Sequence, residues 1–327
     1  MADVKVLCTG GSGFIGTHLV DSLLAKGMKF INIDIAHPKK SEHFPYWRKC
    51  NILDVVNLEN IFQDYQPTHV VHLAARATME GKSLNDFQDN TIGTANVLNA
   101  IKNTPSVSRV IVTSSQHVRK PGSGLPKNDL DFVPHGLYGQ SKVITEDVTR
   151  KANLSCCWTI IRPTTVWGPW HPFLPNGLWD MMKRGIYFHP KNDPVIRSYG
   201  YVKNVVWDIG KILNAPSNMV DKRMFYLGDD PIKQSEWIDS FSMALIGRKT
   251  TKIPKEWIFL LARIGDALEK IGVRFPMNSP RYFNLTTTNP VPIDSVIKQF
   301  GVPPYSLENG IAETISWLRG KGDIWNN

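Results

Sequence analysis

The sequence predicts an α/β protein with a doubly wound parallel sheet and a smaller C-terminal lobe, on three observations. Short apolar runs alternate with helical segments through the first half of the 327 residues. A glycine-rich turn, Gly10-Gly11-Ser12-Gly13-Phe14-Ile15-Gly16, follows the first apolar run. After Pro163, prolines, glycines and aromatic residues become dense, which indicates long ordered loops.

The alternating elements can be placed in chain order, because short apolar runs bounded by turn residues predict buried strands. The predicted strands are Val4–Cys8, Phe30–Asp34, Thr68–Leu73, Arg109–Val112 and Trp158–Ile161. The predicted helices are His18–Leu24, Leu58–Gln63, Asp86–Asn103 and Tyr138–Ala152. We expect right-handed crossovers, helices on both faces of the sheet, and ligands beyond the carboxyl ends of the strands.

We expect two parts with different tasks. Residues 1–165 would form a dinucleotide-binding Rossmann domain, with a further strand and helix from about residues 197–230. Residues 166–327 would form mainly a substrate-binding lobe, interrupted by one more return to the sheet near Arg223–Gly228.

The glycine turn predicts a dinucleotide site. Between a strand and a helix, Gly10 and Gly13 let backbone amides approach a pyrophosphate, whose charge the helix dipole favours. Asp34 ends the next strand about 20 residues later, where a carboxylate would accept hydrogen bonds from the adenosine ribose. That carboxylate repels a 2′-phosphate, so we expect NAD rather than NADP, although Lys39 and Lys40 lie close behind and soften this exclusion.

A second group of polar residues predicts proton-transfer chemistry. Ser114 and Ser115 end a predicted strand and should lie at the carboxyl edge of the sheet. Tyr138 and Lys142 open a helix four residues apart, so they share a face. An ammonium beside a phenol stabilises the phenolate, and a serine hydroxyl can hold a substrate oxygen during hydride transfer.

The composition limits which classes of partner and ligand we expect. Lys and Arg total 38 against 29 Asp and Glu, a net charge of +9 that suits an anionic substrate, a membrane surface or an ordinary basic surface. No basic run is interleaved with aromatics, so we do not expect nucleic acid. The cysteines lack metal-ligand spacing, so we expect free thiols, no metal site and a reducing cytoplasm. We expect no signal peptide, and no apolar run is long enough to span a bilayer.

One apolar segment, Lys255–Leu268, predicts a helix whose partner the sequence leaves open. Packing within the small lobe or at a dimer contact is the favoured interpretation. An in-plane membrane helix over residues 255–271 is the alternative, which the basic net charge keeps open.

Several motifs occur together and in order: Thr9–Gly16, Asp34, His72-Leu73-Ala74-Ala75, Asn90–Thr94, Thr113-Ser114-Ser115, Tyr138 with Lys142, Arg162-Pro163-Thr164, and Arg197 with Tyr201-Val202. With them the chain resembles the extended short-chain dehydrogenase/reductase family, the group of nucleotide-sugar epimerases and dehydratases. The resemblance runs from Val4 to about Asn214 and then weakens.

The resemblance implies a role for each matching residue. Tyr138 would be the acid/base, Lys142 would lower its pKa and bind the nicotinamide ribose, and Ser115 would be the catalytic hydroxyl. The residues implied to contact NAD are Gly10, Gly13, Phe14, Ile15, Asp34, Asn51, Ile52, Leu73, Ala74, Ala75, Asn90, Thr113, Tyr138, Lys142 and Pro163. The residues implied to contact substrate are Ser114, Ser115, Thr165 and Arg197. Arg197 would clamp a diphosphate, with a surface ion pair as the alternative.

The departures from the family pattern limit which of the family's reactions we expect. Asn51 stands where an aspartate usually meets adenine, and Thr165 where epimerases commonly have asparagine. Gln116 and His117 replace the Asp-Glu pair of the dehydratase branch, which argues against 4,6-dehydration. His117 could serve as an extra acid/base, although loop histidines more often make ordinary hydrogen bonds.

We therefore expect NAD-dependent epimerisation, at C4, of a nucleotide-diphosphate sugar. The alternatives are a nucleotide-sugar ketoreductase or a 3β-hydroxysteroid-type dehydrogenase, whose branch the sequence beyond Gly247 partly resembles. A non-catalytic NAD sensor is a third alternative, against which the Ser115, Tyr138 and Lys142 set counts. The family further implies a homodimer and a place in polysaccharide biosynthesis.

Overall fold

The computed structural model describes residues 4–320, apart from residues 176, 192, 193 and 274. The strands are β1 (Lys5–Thr9), β2 (Lys29–Asp34), β3 (Trp47–Lys49), β4 (His69–His72), β5 (Arg109–Thr113), β6 (Cys157–Pro163), β7 (Thr165–Trp167), β8 (Phe188–Pro190), β9 (Ile196–Arg197), β10 (Tyr199–Tyr201), β11 (Arg223–Leu227), β12 (Ile232–Lys233) and β13 (Thr251–Ile253). The helices are α1 (Phe14–Ala25), α2 (Val55–Tyr65), α3 (Thr94–Lys102), α4 (Gly136–Lys151), α5 (Leu178–Lys183), α6 (Val202–Asn214), α7 (Ser217–Val220), α8 (Gln234–Ile246), α9 (Lys255–Lys270), α10 (Ser279–Thr286), α11 (Asp294–Phe300) and α12 (Leu307–Arg319).

Seven strands form one parallel sheet in the order β11-β6-β5-β4-β1-β2-β3. The order reverses between β1 and β4, and such a switch point opens a crevice at the carboxyl ends of the strands. The doubly wound fold predicted from the sequence is confirmed, and the predicted return to the sheet near Arg223–Gly228 is strand β11.

Apolar layers cover both faces of this sheet. On one face α1 packs beside α6, with a core that includes Leu19, Val205 and Ile209. On the other face α2, α3 and α4 lie side by side over a core that includes Leu58 and Val97. The strands β4 to β6 are buried on both sides, which is why they are nearly continuous apolar runs in the sequence.

A third core lies outside the sheet and is rich in aromatic residues. Its members include Trp167, Trp179, Tyr199, Trp237 and Phe241, most of them stacked or edge-to-face with a neighbour. The helices α5, α8 and α12 supply this cluster together with β7 and β10. Prolines, glycines and aromatics crowd the sequence after Pro163 because this part buries rings between loops and short helices.

The structure differs from the sequence prediction in two local features. The single helix predicted over Asp86–Asn103 consists of a 3₁₀ turn at Leu84–Phe87, a π-helical turn at Asp89–Gly93 and then α3. Strand β3 was not predicted, because it is three residues long, sits at the sheet edge and carries Arg48 and Lys49. Within the described part of the chain, no helix is both long enough and apolar enough to cross a bilayer.

Candidate active site

A cleft of about 540 Å³ opens at the carboxyl edge of the sheet, over the switch point between β1 and β4. Its lining brings together most of the residues singled out from the sequence: Gly10, Gly13, Phe14, Ile15, Leu73, Ala75, Thr113, Ser114, Ser115, Tyr138, Lys142, Pro163 and Thr165. The predicted residues that do not line it are Asp34, Asn51, Ile52, Ala74, Asn90 and Arg197. One continuous cleft therefore joins the glycine turn to the hydroxyl-bearing strand end.

The glycine turn leaves room for a pyrophosphate beside α1. Gly10 has φ +75°, and a Cβ there would lie 2.5 Å from the backbone nitrogen of Ala74. The Gly13 amide donates to the Gly10 carbonyl at 3.0 Å, which closes the turn directly before α1 begins. A Cβ on Gly13 would meet only the Gly10 carbonyl oxygen, so its other side is open. An NAD diphosphate fits this cradle of backbone amides at a helix N-terminus.

Asp34 ends β2 next to this turn and is held by backbone amides. Its Oδ2 accepts from the Ser12 amide at 3.0 Å and its Oδ1 accepts from the Ala36 amide at 2.9 Å. Partial burial raises the pKa of Asp34, and these hydrogen bonds act in the opposite direction. Each carboxylate oxygen retains a further lone pair, which suits ribose hydroxyls.

The segment from Leu73 to Ala75 is fixed between β1 and the π-helical turn. The Leu73 amide donates to the Thr9 carbonyl at 3.0 Å, and the Ala74 amide donates to the Thr9 hydroxyl at 3.2 Å. Asn90 is fully buried; its Oδ1 accepts from the Arg76 amide at 2.8 Å and its Nδ2 donates to Ser141 Oγ at 2.9 Å. Asn90 thus positions the wall of the cleft, and its predicted contact with NAD stays a prediction.

Asn51 and Ile52 lie at the far end of the predicted adenine site. Asn51 is exposed, and its Oδ1 accepts from the Leu53 amide at 2.9 Å. Ile52 is 5% exposed and packs against Gly93, where a Cβ would lie 2.5 Å from its Cδ1. The amide group of Asn51 is therefore accessible to a ligand, whereas Ile52 mainly anchors its loop to the π-helical turn before α3.

Ser115, Tyr138 and Lys142 converge within the cleft, as the sequence predicts. Tyr138 and Ser115 share a hydrogen bond between their hydroxyl groups. Lys142 is 2% exposed, and its Nζ donates to the Thr113 carbonyl at 3.0 Å. Gly139 lets α4 approach closely, because a Cβ there would lie 2.3 Å from the His117 carbonyl oxygen.

The pKa values of Tyr138 and Lys142 do not follow the expectation that the Lys142 ammonium lowers the pKa of the phenol. Burial raises the pKa of Tyr138, and the hydrogen bond from Ser115 only partly offsets this. Burial also lowers the pKa of Lys142 to about 8, against the pull of Glu146 in the other direction. The lowered phenol pKa that the family implies is not reached by these protein groups alone, because desolvation disfavours both charged forms.

Ser114 differs in its surroundings from Ser115. Its hydroxyl donates to Glu146 Oε1 at 2.7 Å, and the same carboxylate forms a buried ion pair with Arg162 at 2.7 Å. Arg162 also donates to the Tyr226 hydroxyl at 3.0 Å. Ser114 lines the cleft, but its proton is committed to this ion-pair network, so its predicted substrate contact stays a prediction.

Two histidines that sequence reasoning did not bring together meet beside Tyr138, and the charge of Arg197 acts on both. The ring of His117 stacks on His135 at 5.5 Å and meets Tyr138 edge-on at 5.8 Å. Burial, His135 and the charge of Arg197 together lower the pKa of His117 to about 4. Arg197 itself is partly buried and hydrogen-bonds Tyr199. At neutral pH both imidazoles are therefore uncharged, and of these three residues His117 lines the cleft.

The mouth of the cleft is more apolar than the sequence indicates. Met79, His171 and Phe173 line it, together with the exposed Thr165, whose hydroxyl accepts from Gln116 Nε2 at 2.8 Å. Met79, His171 and Phe173 come from loops with no periodic pattern, so no sequence signal could have assigned these three residues to one wall.

A cluster of Asp21, Glu42 and His43 brings potential metal ligands within 4.8 Å of one another. The Lys40 ammonium bonds both oxygens of Asp21, at 2.9 and 2.8 Å, and already neutralises that carboxylate. This cluster lies outside the cleft and is an ion-pair network.

Comparison with known proteins agrees with this geometry. A curated relative from Escherichia coli O157:H7, "N-acetyl-alpha-D-glucosaminyl-diphospho-ditrans,octacis-undecaprenol 4-epimerase", is 27% identical over 96% of this chain and 95% of its own length. The human "Sterol-4-alpha-carboxylate 3-dehydrogenase, decarboxylating" is 28% identical over 69% of this chain and 63% of its own length.

Among solved structures, UDP-glucuronic acid 4-epimerase from Bacillus cereus, in complex with UDP-glucuronic acid and NAD, superposes with a TM-score of 0.74. The superposition covers 97% of this chain and 99% of that one at 20% identity, which establishes the shared fold. Residues 6–228 match the family described as "NAD dependent epimerase/dehydratase family". With two thirds of its length matched and a cradle that fits the dinucleotide, the chain belongs to this family of NAD-dependent enzymes, and NAD is its cofactor.

Proposed function

We propose that this enzyme epimerises C4 of a sugar carried on a diphosphate, with a nucleotide-diphosphate sugar as the expected substrate. The observation that carries the proposal is the convergence of Ser115, Tyr138 and Lys142 in the cleft that begins at the glycine turn. In this proposal residues 1–165, with residues 197–230, bind NAD, and residues 166–327 mainly bind the sugar. The cytoplasmic location, the homodimer and the link to polysaccharide biosynthesis stay predictions.

The protein groups would act on the proton of the C4 hydroxyl. Ser115 would hold the C4 oxygen, and the Tyr138 phenolate would accept the hydroxyl proton as the C4–H bond breaks. Lys142 would stabilise the phenolate when its ammonium is charged. When bound, NAD would supply the acceptor for the C4 hydride and the donor for its return. After the keto-sugar has turned its other face, Tyr138 would give the proton back, so no net oxidation occurs.

The neighbouring groups support epimerisation over dehydration. Loss of water from a sugar needs an acid and a base beyond the tyrosine. His117 is held uncharged by its low pKa, and its neighbour Gln116 is not ionisable. Among the described residues that line the cleft, Glu80 alone carries a carboxylate, and it is exposed at the mouth.

The experiment is product analysis with a panel of diphosphate sugars and no added coenzyme. The panel includes nucleotide sugars and, because the E. coli relative is named for a lipid-borne sugar, a polyprenyl-diphosphate sugar. Formation of the C4 epimer without accumulation of NADH supports the proposal. Failure of every sugar while NADH accumulates from another alcohol would refute it.

A second candidate is net oxidation of a hydroxysteroid. It is favoured by the relatives named sterol-4-alpha-carboxylate 3-dehydrogenase, at 28% identity, and by the apolar residues Met79 and Phe173 at the cleft mouth. Stoichiometric NADH from an added hydroxysterol would favour this candidate over the sugar epimerase.

A further inference from the structure

Helix α9 carries two apolar faces, only one of which is used by the fold. Ile258, Ala262 and Gly265 are buried against the rest of the protein. Gly265 marks the closest approach, because a Cβ there would lie 1.7 Å from the Met277 carbonyl oxygen. The second face is formed by residues three to seven positions apart, which lie in line along the helix.

This second face, here called the apolar strip, consists of Trp257, Leu260, Ile264 and Ile271. Their exposed fractions are 61%, 51%, 44% and 73%. Three of these side chains lie on α9 and Ile271 directly follows it, so the exposed apolar surface is continuous rather than scattered. A continuous exposed apolar surface of this kind is typical of an interaction site.

Charges follow one edge of the strip. Arg263 and Lys270 are exposed along this edge, seven residues apart, and Glu256 lies seven residues before Arg263. The two other acids of α9 face α10 and are bonded there. Asp266 accepts from the Ser279 amide at 2.9 Å, and Glu269 accepts from Asn278 Nδ2 at 2.9 Å. The free edge of the helix is therefore basic, as is the whole chain at +9.

We propose that the apolar strip of α9 docks this enzyme on an anionic lipid bilayer, with the helix lying in the plane of the interface. The strip would enter the boundary between headgroups and acyl chains, while the basic edge meets the anionic headgroups. Trp257 belongs to the residue type that favours this boundary. At 16 residues, α9 is too short to span the bilayer.

A bilayer fits the strip better than a second copy of the chain does. Four partly exposed side chains offer on the order of 400 Å² of apolar surface. A stable protein interface takes about 800 Å² from each partner, of which somewhat over half is apolar, so area alone does not separate the two occupants. Charge does, because two copies would bring their basic edges together, which like charges oppose, whereas an anionic surface complements them.

Docking would place the substrate lobe at the bilayer. The segment after α10 pairs with β9, where the Asn289 amide donates to the Ile196 carbonyl at 2.8 Å. The next residue is Arg197, whose charge lowers the pKa of His117. The segment after the α9–α10 pair is thus linked through β9 to the residue whose charge acts on His117 in the cleft.

The test is vesicle flotation of the whole protein without substrate, so its outcome is independent of the proposed reaction. The probes are vesicles of phosphatidylglycerol with phosphatidylcholine, and vesicles of phosphatidylcholine alone. The wild type should float with the anionic vesicles, less with the neutral ones, and less again in high salt. Trp257→Glu with Ile264→Glu should weaken binding at least tenfold, and Arg263→Gln with Lys270→Gln should remove the preference for anionic lipid.

Matched controls are Val56→Glu and Val302→Glu, at apolar positions that are 70% and 71% exposed elsewhere on the surface. They should float like the wild type, and thermal melts check that each variant folds. Ile264→Ser with Ile271→Ser serves as a milder strip variant if the glutamates prevent folding. Absence of wild-type flotation, or flotation of the strip variants equal to wild type, would overturn the proposal. A strip variant that turns a dimer into a monomer, with a wild type that does not float, would assign the strip to a second copy instead.

Discussion

At the scale of single residues, Tyr138 is surrounded by groups with distinct tasks. Ser115 hydrogen-bonds its hydroxyl, and His117 covers the edge of its ring at 5.8 Å. Lys142 lies one turn further along α4, with its ammonium on the Thr113 carbonyl. The phenol is desolvated and its pKa is raised, so formation of the phenolate depends on positive charge nearby.

Tyr138→Phe should lower kcat for epimerisation by roughly 10²- to 10⁴-fold, because it removes the only proposed proton carrier. Bound NAD should remain, since the glycine turn is untouched. Turnover is measured by NMR of the sugar, and bound NAD by release on denaturation. Ser106→Ala, at a loop hydroxyl bonded to the Pro67 carbonyl, is the control. An unchanged kcat for Tyr138→Phe would contradict its assigned role.

Lys142→Met should move the pH dependence of kcat/KM to higher pH. Removing the ammonium takes away a charge that favours the phenolate, so the rising limb should shift upward by about one unit or more. In the wild type the pKa of Lys142 is about 8, so its charge is present below that pH and is lost above it. A rising limb at the same pH in the variant and the wild type would show that Lys142 does not act through Tyr138.

At the scale of elements, the site depends on how α4 is held against the π-helical turn at Asp89–Gly93. Asn90 links this turn to Arg76 and to Ser141 of α4, and Thr145 donates to the Asn90 carbonyl. Thr113 and Ser115 lie at the carboxyl end of strand β5. The position of Tyr138 relative to them depends on how α4 packs against the π-helical turn.

Asn90→Ala should lower the free energy of unfolding by roughly 2–3 kcal/mol, because it removes the hydrogen bonds that the fully buried Asn90 makes to the Arg76 amide and to the buried Ser141 hydroxyl. Urea unfolding measures the loss, and the exposed Asn99 of α3 provides the control Asn99→Ala, with a change within about 0.5 kcal/mol. Equal stabilities of the two variants would contradict the positioning role of Asn90.

The sequence was informative where a local rule applies and uninformative where distant residues meet. The glycine turn and the Tyr138–Lys142 pair could be predicted because a strand end, a turn and one helical turn fix their geometry. The cluster of His117, His135 and Arg197 could not, since its members come from three loops and strand ends far apart in the chain. Likewise, apolar spacing alone could not distinguish the π-helical turn from the continuous helix predicted there.

At the scale of the whole molecule, stability depends on a buried acid on α6. Asp208 is 1% exposed, and neither of its carboxylate oxygens has a hydrogen-bond partner among the described residues. Burial, with the negative charge of Asp229 in addition, raises the pKa of Asp208 to about 8. The Asp208 carboxyl group therefore binds its proton more tightly in the folded protein than in the unfolded chain.

The stability that Asp208 contributes is present in full below the unfolded pKa near 4 and is lost as the pH rises towards 8. Asp208→Asn should remove this dependence and, at pH 8.5, should raise the free energy of unfolding by on the order of 2 kcal/mol. Urea unfolding at several pH values measures both effects. If the free energy of unfolding of the variant changed with pH between 4 and 8 as that of the wild type does, position 208 would not be a buried neutral acid.

The central claim, that hydride leaves C4 and returns to it within one cleft, is tested most directly with a sugar labelled at that carbon. The accepted nucleotide sugar, carrying deuterium at C4, is incubated with the enzyme and no added coenzyme, and the product is read by mass spectrometry and NMR. The account predicts the C4 epimer with its deuterium retained and no accumulation of NADH. Deuterium lost to solvent, or found on released coenzyme beside a keto-sugar, would contradict it.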